Sequence, residues 1–173
     1  MKLLYSIHKY DVSLFTWLMN ARIISVLIKT CRYISKTGDG ELYLFIIGLF
    51  CLHGGFESPF LRAAALAFAI ERPVYFVLKN CCKRNRPEAA LQDFRSIIKP
   101  SDQFSFPSGH TSAAFMMATL LGYFIPSLML PLLVWAALVG FSRIALGVHF
   151  PTDILVGVIM GISIAIFSLR QIL

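Results

Sequence analysis

At 173 residues the chain has the length of one domain, and its apolar fraction of 57% with a mean hydropathy of +0.72 lies above the usual soluble range. Sixteen Lys and Arg against nine Asp and Glu give a net charge of +7. These cations cluster outside the apolar runs, where anionic phospholipid or a phosphorylated ligand would meet them. Nucleic acid is excluded as a partner, because so apolar a chain leaves no soluble fold to present that charge.

The N-terminus shows no short apolar core followed by a small-residue cleavage site, so the first membrane segment is expected to provide targeting. Over residues 12–35, apolar positions alternate irregularly with Arg22, Lys29, Thr30 and Arg32. A Lys or Arg at the centre of a span costs about 2.5–3.5 kcal/mol. The spacing instead predicts one or two amphipathic helices lying in the interface, with Phe15 and Trp17 facing lipid. Lys36-Thr37-Gly38-Asp39-Gly40 then breaks the helix.

A helix needs about 20 mostly apolar residues to cross the hydrocarbon core. Five stretches approach that requirement: 41–56, 59–78, 108–125, 128–146 and 151–169. Gly54-Gly55, Pro126, Pro131 and Pro151 punctuate the short connections between them. Residues 80–106 form one long polar connection carrying Lys83, Arg84, Arg95 and Lys99, and a loop of that length is more often functional than idle. The predicted fold class is all-α, an integral membrane helical bundle of five spans, or six if the N-terminal segment crosses. It makes a single domain over 1–173, with 1–40 as the interfacial segment and 41–173 as the helical core.

The four cysteines (Cys31, Cys51, Cys81, Cys82) lack the Cys-x-x-Cys spacing of a zinc site. Adjacent Cys81 and Cys82 read as small apolar fillers at a helix end. Three polar clusters stand out: Lys79 with Arg86-Pro87; Pro107-Ser108-Gly109-His110; and Ser142-Arg143 followed by His149 and Asp153. With five spans, the ends of the second and fourth and the starts of the third and fifth share one membrane face, so all three clusters emerge together.

Pro107 and Pro151 suit first helical positions, where a missing N–H costs nothing. Ser108, Gly109 and His110 would then fill a first turn whose free N–H groups and dipole attract phosphate. Gly109 lets an oxyanion come close to the backbone. Asp153 can reach back to His149, holding one ring nitrogen protonated and leaving the other as a nucleophile. Each piece also has a plainer reading: Arg-Pro as topology punctuation, Pro-Ser-Gly as a helix cap, His149 and Asp153 as a structural pair. Glu71-Arg72 in mid-span reads first as an ion pair holding the bundle and second as a substrate contact. Gly157 and Gly161 make a small-residue face, first for close helix packing and second for a homodimer contact. His8 and His53 have no supporting partners and are assigned no role.

The clusters follow a fixed order: Lys79, six residues, Arg86-Pro87; Pro107-Ser108-Gly109-His110; Ser142-Arg143, five residues, His149, three residues, Asp153. This resembles the type 2 phosphatidic acid phosphatase family, which shares its site with the vanadium-dependent haloperoxidases. The resemblance implies a lipid phosphatase in which His149 attacks phosphorus in line and forms a phosphohistidine, with Asp153 orienting it. His110 would protonate the leaving lipid oxygen and then activate water. Lys79, Arg86, Arg143, the Ser108 hydroxyl and the Gly109 N–H would hold the equatorial oxygens.

No metal and no other cofactor is implied. The implied partners are a phosphorylated lipid and membrane phospholipids. Undecaprenyl diphosphate, phosphatidylglycerophosphate, phosphatidate and the lipid A phosphates are all substrate candidates. The chain departs from six-span relatives in that its interfacial N-terminal segment stands where they have a separate first span. A lipid-to-lipid phosphotransferase using the same site is one competing reading, and a non-catalytic membrane scaffold is another. A scaffold has no need of His110, His149 and Asp153 together, and haloperoxidase relatives are soluble and much larger.

The expected location is the inner (cytoplasmic) membrane, multi-pass. The resemblance places the site at the periplasmic face. Lys2, Lys9, Lys29, Arg32 and Lys36 on the motif side would favour the cytoplasmic face by the positive-inside rule, but cations needed for phosphate bias that count.

Overall fold

The computed structural model describes residues 2–55, 57–100 and 102–173, and their side chains except those of 2–8, 23–25, 53 and 54. Ser101 and the side chains of Lys2, His8 and His53 lie outside the described residues. Eight α-helices are described: α1 (Lys2–Met19), α2 (Arg22–Thr37), α3 (Gly40–Gly54), α4 (Pro59–Cys82), the short α5 (Pro87–Ala90), α6 (Gly109–Phe124), α7 (Met129–Ala145) and α8 (Pro151–Ile172). The predicted all-α class holds. A 3-10 turn at Pro126–Leu128 leads into α7.

Helix α6 is the central element, packed against α4, α7 and α8. Its Met116, Met117 and Leu120 are fully buried and meet Ala63, Ala64 and Ala67 of α4 in the main core. Small residues set its distance from α8. A Cβ added at Gly161 would lie 2.3 Å from the Ser112 carbonyl oxygen, and one at Gly157 would lie 2.8 Å from that of Ser108. The two backbones therefore touch, as the Gly157/Gly161 spacing predicts. This face is consumed inside the chain, so it offers no homodimer contact.

By length and composition, Pro126–Ala145 and Pro151–Ile172 are each apolar enough to cross a bilayer, while Gly40–Leu52 is apolar but shorter. Two features set α4 and α6 apart from the other expected spans. Helix α4 carries Arg62, Glu71, Arg72 and Lys79. The 16 residues of α6 rise only about 24 Å. Glu71 is fully buried and accepts hydrogen bonds from Arg72, the mutual pair expected at that position.

The N-terminal segment forms two helices, as the charge pattern allowed, but α1 begins at Lys2. Helix α2 runs against α7: Cys31 is buried beside Ala145 and Leu146, and Trp135 Nε1 donates to Thr37 Oγ1 at 2.8 Å. The expectation that Phe15 faces lipid is wrong. Phe15 is 1% exposed and stacks edge-on to Phe94 and Phe150 at 5.2 and 5.4 Å. Buried Asp11 on the same helix explains this, because its ion pair with Arg84 turns that face of α1 inward. Trp17, on the other face, is 68% exposed. Cys81 and Cys82 are also exposed at the end of α4, so they fill no packing space.

Candidate active site

Helix α4 ends where Lys83 adopts a left-handed conformation (φ +45°), which turns the chain toward α8. The long connection then closes on itself. Ser105 N donates to the Arg84 carbonyl at 2.8 Å, and Asn85 pairs with Phe104 in an isolated antiparallel bridge. That closure carries Asp102 to Arg86. The same loop roofs the α7–α8 turn, with Ile97 N donating to Leu146 O at 3.0 Å and Ser96 Oγ to Gly147 O at 2.8 Å.

Beneath this roof the three predicted clusters meet. Arg86, Gly109, His110, Arg143 and His149 all line one cavity of about 1050 Å³. Arg86 Nη1 donates to Val148 O at 2.6 Å and stands 3.4 Å from His149 Nε2. Arg143 Nη1 donates to Ser35 Oγ at 2.7 Å, while its buried Nε has no hydrogen-bond partner. His110 Nε2 lies 2.8 Å from Asp39 Oδ1. Below the polar mouth the cavity continues between α3 and α4 past Leu44, Ile47, Ala65 and Phe68.

Three predicted residues stand back from the cavity. Ser108 is the N-cap of α6, its hydroxyl accepting from Thr111 N, and it is fully buried. The helix therefore starts at Gly109, two residues after Pro107, the expected first helical position, and Pro107 precedes the cap. Lys79 reaches the cavity through Asp102, to which it donates at 2.6 Å; it also donates to Tyr75 Oη. Asp153 lies behind His149, its Oδ2 3.6 Å from Nδ1. That carboxylate accepts from Phe150 N at 2.8 Å and from Arg84 Nη1 at 2.8 Å, so the start of α8 holds it rigidly.

Sequence reasoning missed the residues that hold these groups. Asp102 accepts from Arg86 Nη2 at 2.5 Å and from Tyr75 Oη at 2.8 Å. Burial pushes its pKa up, but hydrogen bonds from Lys79, Arg86 and Tyr75 bring it down to about 2, so it is a carboxylate at neutral pH. Tyr75 could have been found from its spacing four residues before Lys79, on the same helix face. A Cβ added at Gly109 would meet the Tyr75 ring at 2.9 Å, so this glycine lets α6 abut it. Asp39, Asp11 and Arg84 offered no comparable local signal.

Burial lowers the His149 imidazole from 6.5 to about 4, with Asp153 opposing and Arg86 and Arg143 adding to the shift. The ring is neutral above that value and protonates only as pH falls through it, so its free lone pair persists across the neutral range. Ring nitrogen-15 shifts of the ligand-free protein should show one histidine titrating near 4. Titration of His149 near 6.5 would contradict the burial described here. Among the described residues, no group of three or more His, Cys, Asp or Glu is placed to hold a metal ion.

A helical bundle with imidazoles and guanidiniums gathered at its helix ends, above an apolar cleft, defines a membrane protein that handles phosphorylated lipid. Residues 60–173 match the PAP2 superfamily, and the chain belongs to it. LpxE of Aquifex aeolicus superposes with a TM-score of 0.81 at 30% identity, covering 91% of this chain and 93% of that one. A PAP2-type phosphatidylglycerolphosphate phosphatase of Bacillus subtilis gives 0.74 at 26% identity, covering 96% and 85%. A decaprenylphosphoryl-5-phosphoribose phosphatase of Mycobacterium tuberculosis is 32% identical over 145 residues, covering 80% of this chain and 76% of its own. The chain is thus a multi-pass membrane phosphatase of the PAP2 class, acting on a phosphorylated lipid.

Proposed function

We propose that the chain hydrolyses a terminal phosphate from a lipid through a phosphohistidine on His149, at a site facing the periplasm of a bacterial inner membrane. The lipid tail lies in the cleft between α3 and α4, and the phosphate lies among Arg86, Arg143 and the Gly109 N–H. His149 Nε2 attacks phosphorus as the bond to the lipid oxygen breaks, and His110 gives that oxygen its proton. His110 then takes a proton from water, whose oxygen attacks phosphorus and releases inorganic phosphate and neutral His149. Lys79 acts from behind, through Asp102, and Ser108 shapes the helix start that presents Gly109.

The observation that carries this reading is the orientation of one ring. His149 turns Nδ1 toward Asp153, 3.6 Å from its Oδ2, and Nε2 toward Arg86 and the cavity, the orientation that attack through Nε2 needs. The relatives' names point to a decaprenylphosphoryl phosphoribose and to phosphatidylglycerolphosphate as their substrates, which keeps several lipid classes open here.

A phosphate-release panel tests the reading. Purified protein with a strong chelator should release inorganic phosphate from at least one of undecaprenyl diphosphate, phosphatidylglycerophosphate, phosphatidate and a lipid A phosphate. Phosphate passed only to an added lipid acceptor would make it a phosphotransferase. Activity lost to the chelator and restored by metal would overturn metal independence.

A further inference from the structure

Helix α1 reaches the nucleophile from behind. Asp11 Oδ2 accepts from Arg84 Nη2 at 2.5 Å and from Thr152 Oγ1 at 2.5 Å, and its Oδ1 accepts from Thr152 N at 3.0 Å. Arg84 turns Nη1 to Asp153 Oδ1 at 2.8 Å and lies over the Phe150 ring, 4.3 Å from its centroid. The other oxygen of Asp153 faces His149 Nδ1. A row of charged groups therefore runs from Asp11 through Arg84 and Asp153 to the attacking ring. Asp11 lies outside the residues 60–173 that match the PAP2 superfamily, so the family's own motifs do not supply it.

Two carboxylates here share one guanidinium. Both are buried, so water screens their charges little. With the imidazole neutral, these three groups sum to one negative charge behind the ring. Forming the bond from Nε2 to phosphorus changes the balance. The lipid oxygen leaves with the proton of His110, the Nδ1 proton stays on the ring, and the imidazole becomes a cation. Asp153 attracts that cation and Arg84 repels it. Asp11 offsets Arg84, so the charge of Asp153 stays available to the ring as its positive charge grows. Without Asp11 the guanidinium would be neutralised at the expense of the ring.

We infer that Asp11 is a positioning residue for the nucleophile: acting through Arg84, it keeps the Asp153 carboxylate directed to His149 and favours the imidazolium that phosphoryl transfer creates. The inference rests on the phosphohistidine reading above and gives the N-terminal helix a part in that step.

Asp11→Asn tests this, because the amide keeps the size of the side chain and an oxygen for Thr152 N while removing the charge. The substrate is the lipid of the earlier panel that the wild type hydrolyses fastest, labelled on its terminal phosphate. Single-turnover transfer of label to His149 should slow about tenfold, with KM within about threefold of the wild type. Asp11→Ser, a smaller acceptor without charge, should show the same loss. Adding Arg84→Gln to Asp11→Asn removes the uncompensated cation, so the double variant should regain about threefold or more of the lost rate. Phe15→Leu loosens α1 without altering a charge; it should lower the melting temperature and leave the transfer rate within about threefold.

An Asp11 that only anchors α1 gives the opposite pattern, with losses in the double variant adding up and Phe15→Leu as slow as Asp11→Asn. Either result would overturn the role, as would transfer in Asp11→Asn and Asp11→Ser at close to the wild-type rate. Should the double variant not fold, the comparison of Asp11→Asn with Phe15→Leu decides. Absence of label on His149 in the wild type during turnover would instead strike the phosphohistidine reading itself.

Discussion

Replacing His149 with Ala should reduce phosphate release to background, a loss on the order of 10⁴-fold or more, because the proposed covalent intermediate then has no nucleophile. The residue is 2% exposed, and its Nε2 faces the Arg86 guanidinium at 3.4 Å. A labelled substrate quenched during turnover by the wild type should leave acid-labile phosphate on His149. Label recovered on another residue would reassign the nucleophile. His110→Ala is the informative companion: it should let the phosphohistidine accumulate if a substrate with a good leaving group is supplied, since only the water-activating step then lacks its base.

Arg143→Ala should lower kcat by about 10²–10³ with a smaller change in KM. This guanidinium is 5% exposed and anchored by Ser35 at 2.7 Å, and its buried Nε has no partner. A buried donor left unmet in the ligand-free protein is ready for an oxygen whose charge grows toward the transition state. Arg143→Lys restores the charge but not the planar fork, so most of the loss should remain. A loss of only a few-fold in the Ala variant would show that Arg143 does not touch the phosphate. Pre-steady-state kinetics of phosphoryl transfer to His149 would separate that step from release.

The parts of this site written in short-range chemistry were legible before the fold. Asp153 lies one helical turn beyond His149, and Pro-Ser-Gly-His marks a helix start, so both arrangements follow from spacing alone. The five-span reading from which the meeting of the clusters was expected needed only the positions of apolar runs. What stayed hidden was long-range. Asp102 reaches Lys79 and Arg86 because a backbone bridge between Asn85 and Phe104 folds the loop back, and nothing local announces that pairing. Asp39 comes to His110 from 71 residues away.

The misplaced Phe15 has the same origin. An amphipathic pattern shows that a helix has an apolar face, but not whether lipid or protein covers it. Here the deciding contact is made by Asp11, which accepts from Thr152 N at the start of α8 and pairs with Arg84. Lone acids in a basic, apolar chain are the residues whose partners most need a structure to find them.

The backbone contact between α6 and α8 has a consequence for how such a protein could change its preference for tails. His110 sits on α6 and His149 immediately before α8, and these two helices cannot slide without a collision at Gly161, whereas α3 leans chiefly on α4. Tail-length tuning can therefore be confined to one wall, at positions such as Leu44 and Ile47, while the phosphorus chemistry keeps its geometry. Divergence within this architecture would then leave the catalytic floor unchanged and rewrite only the panel that faces the hydrocarbon.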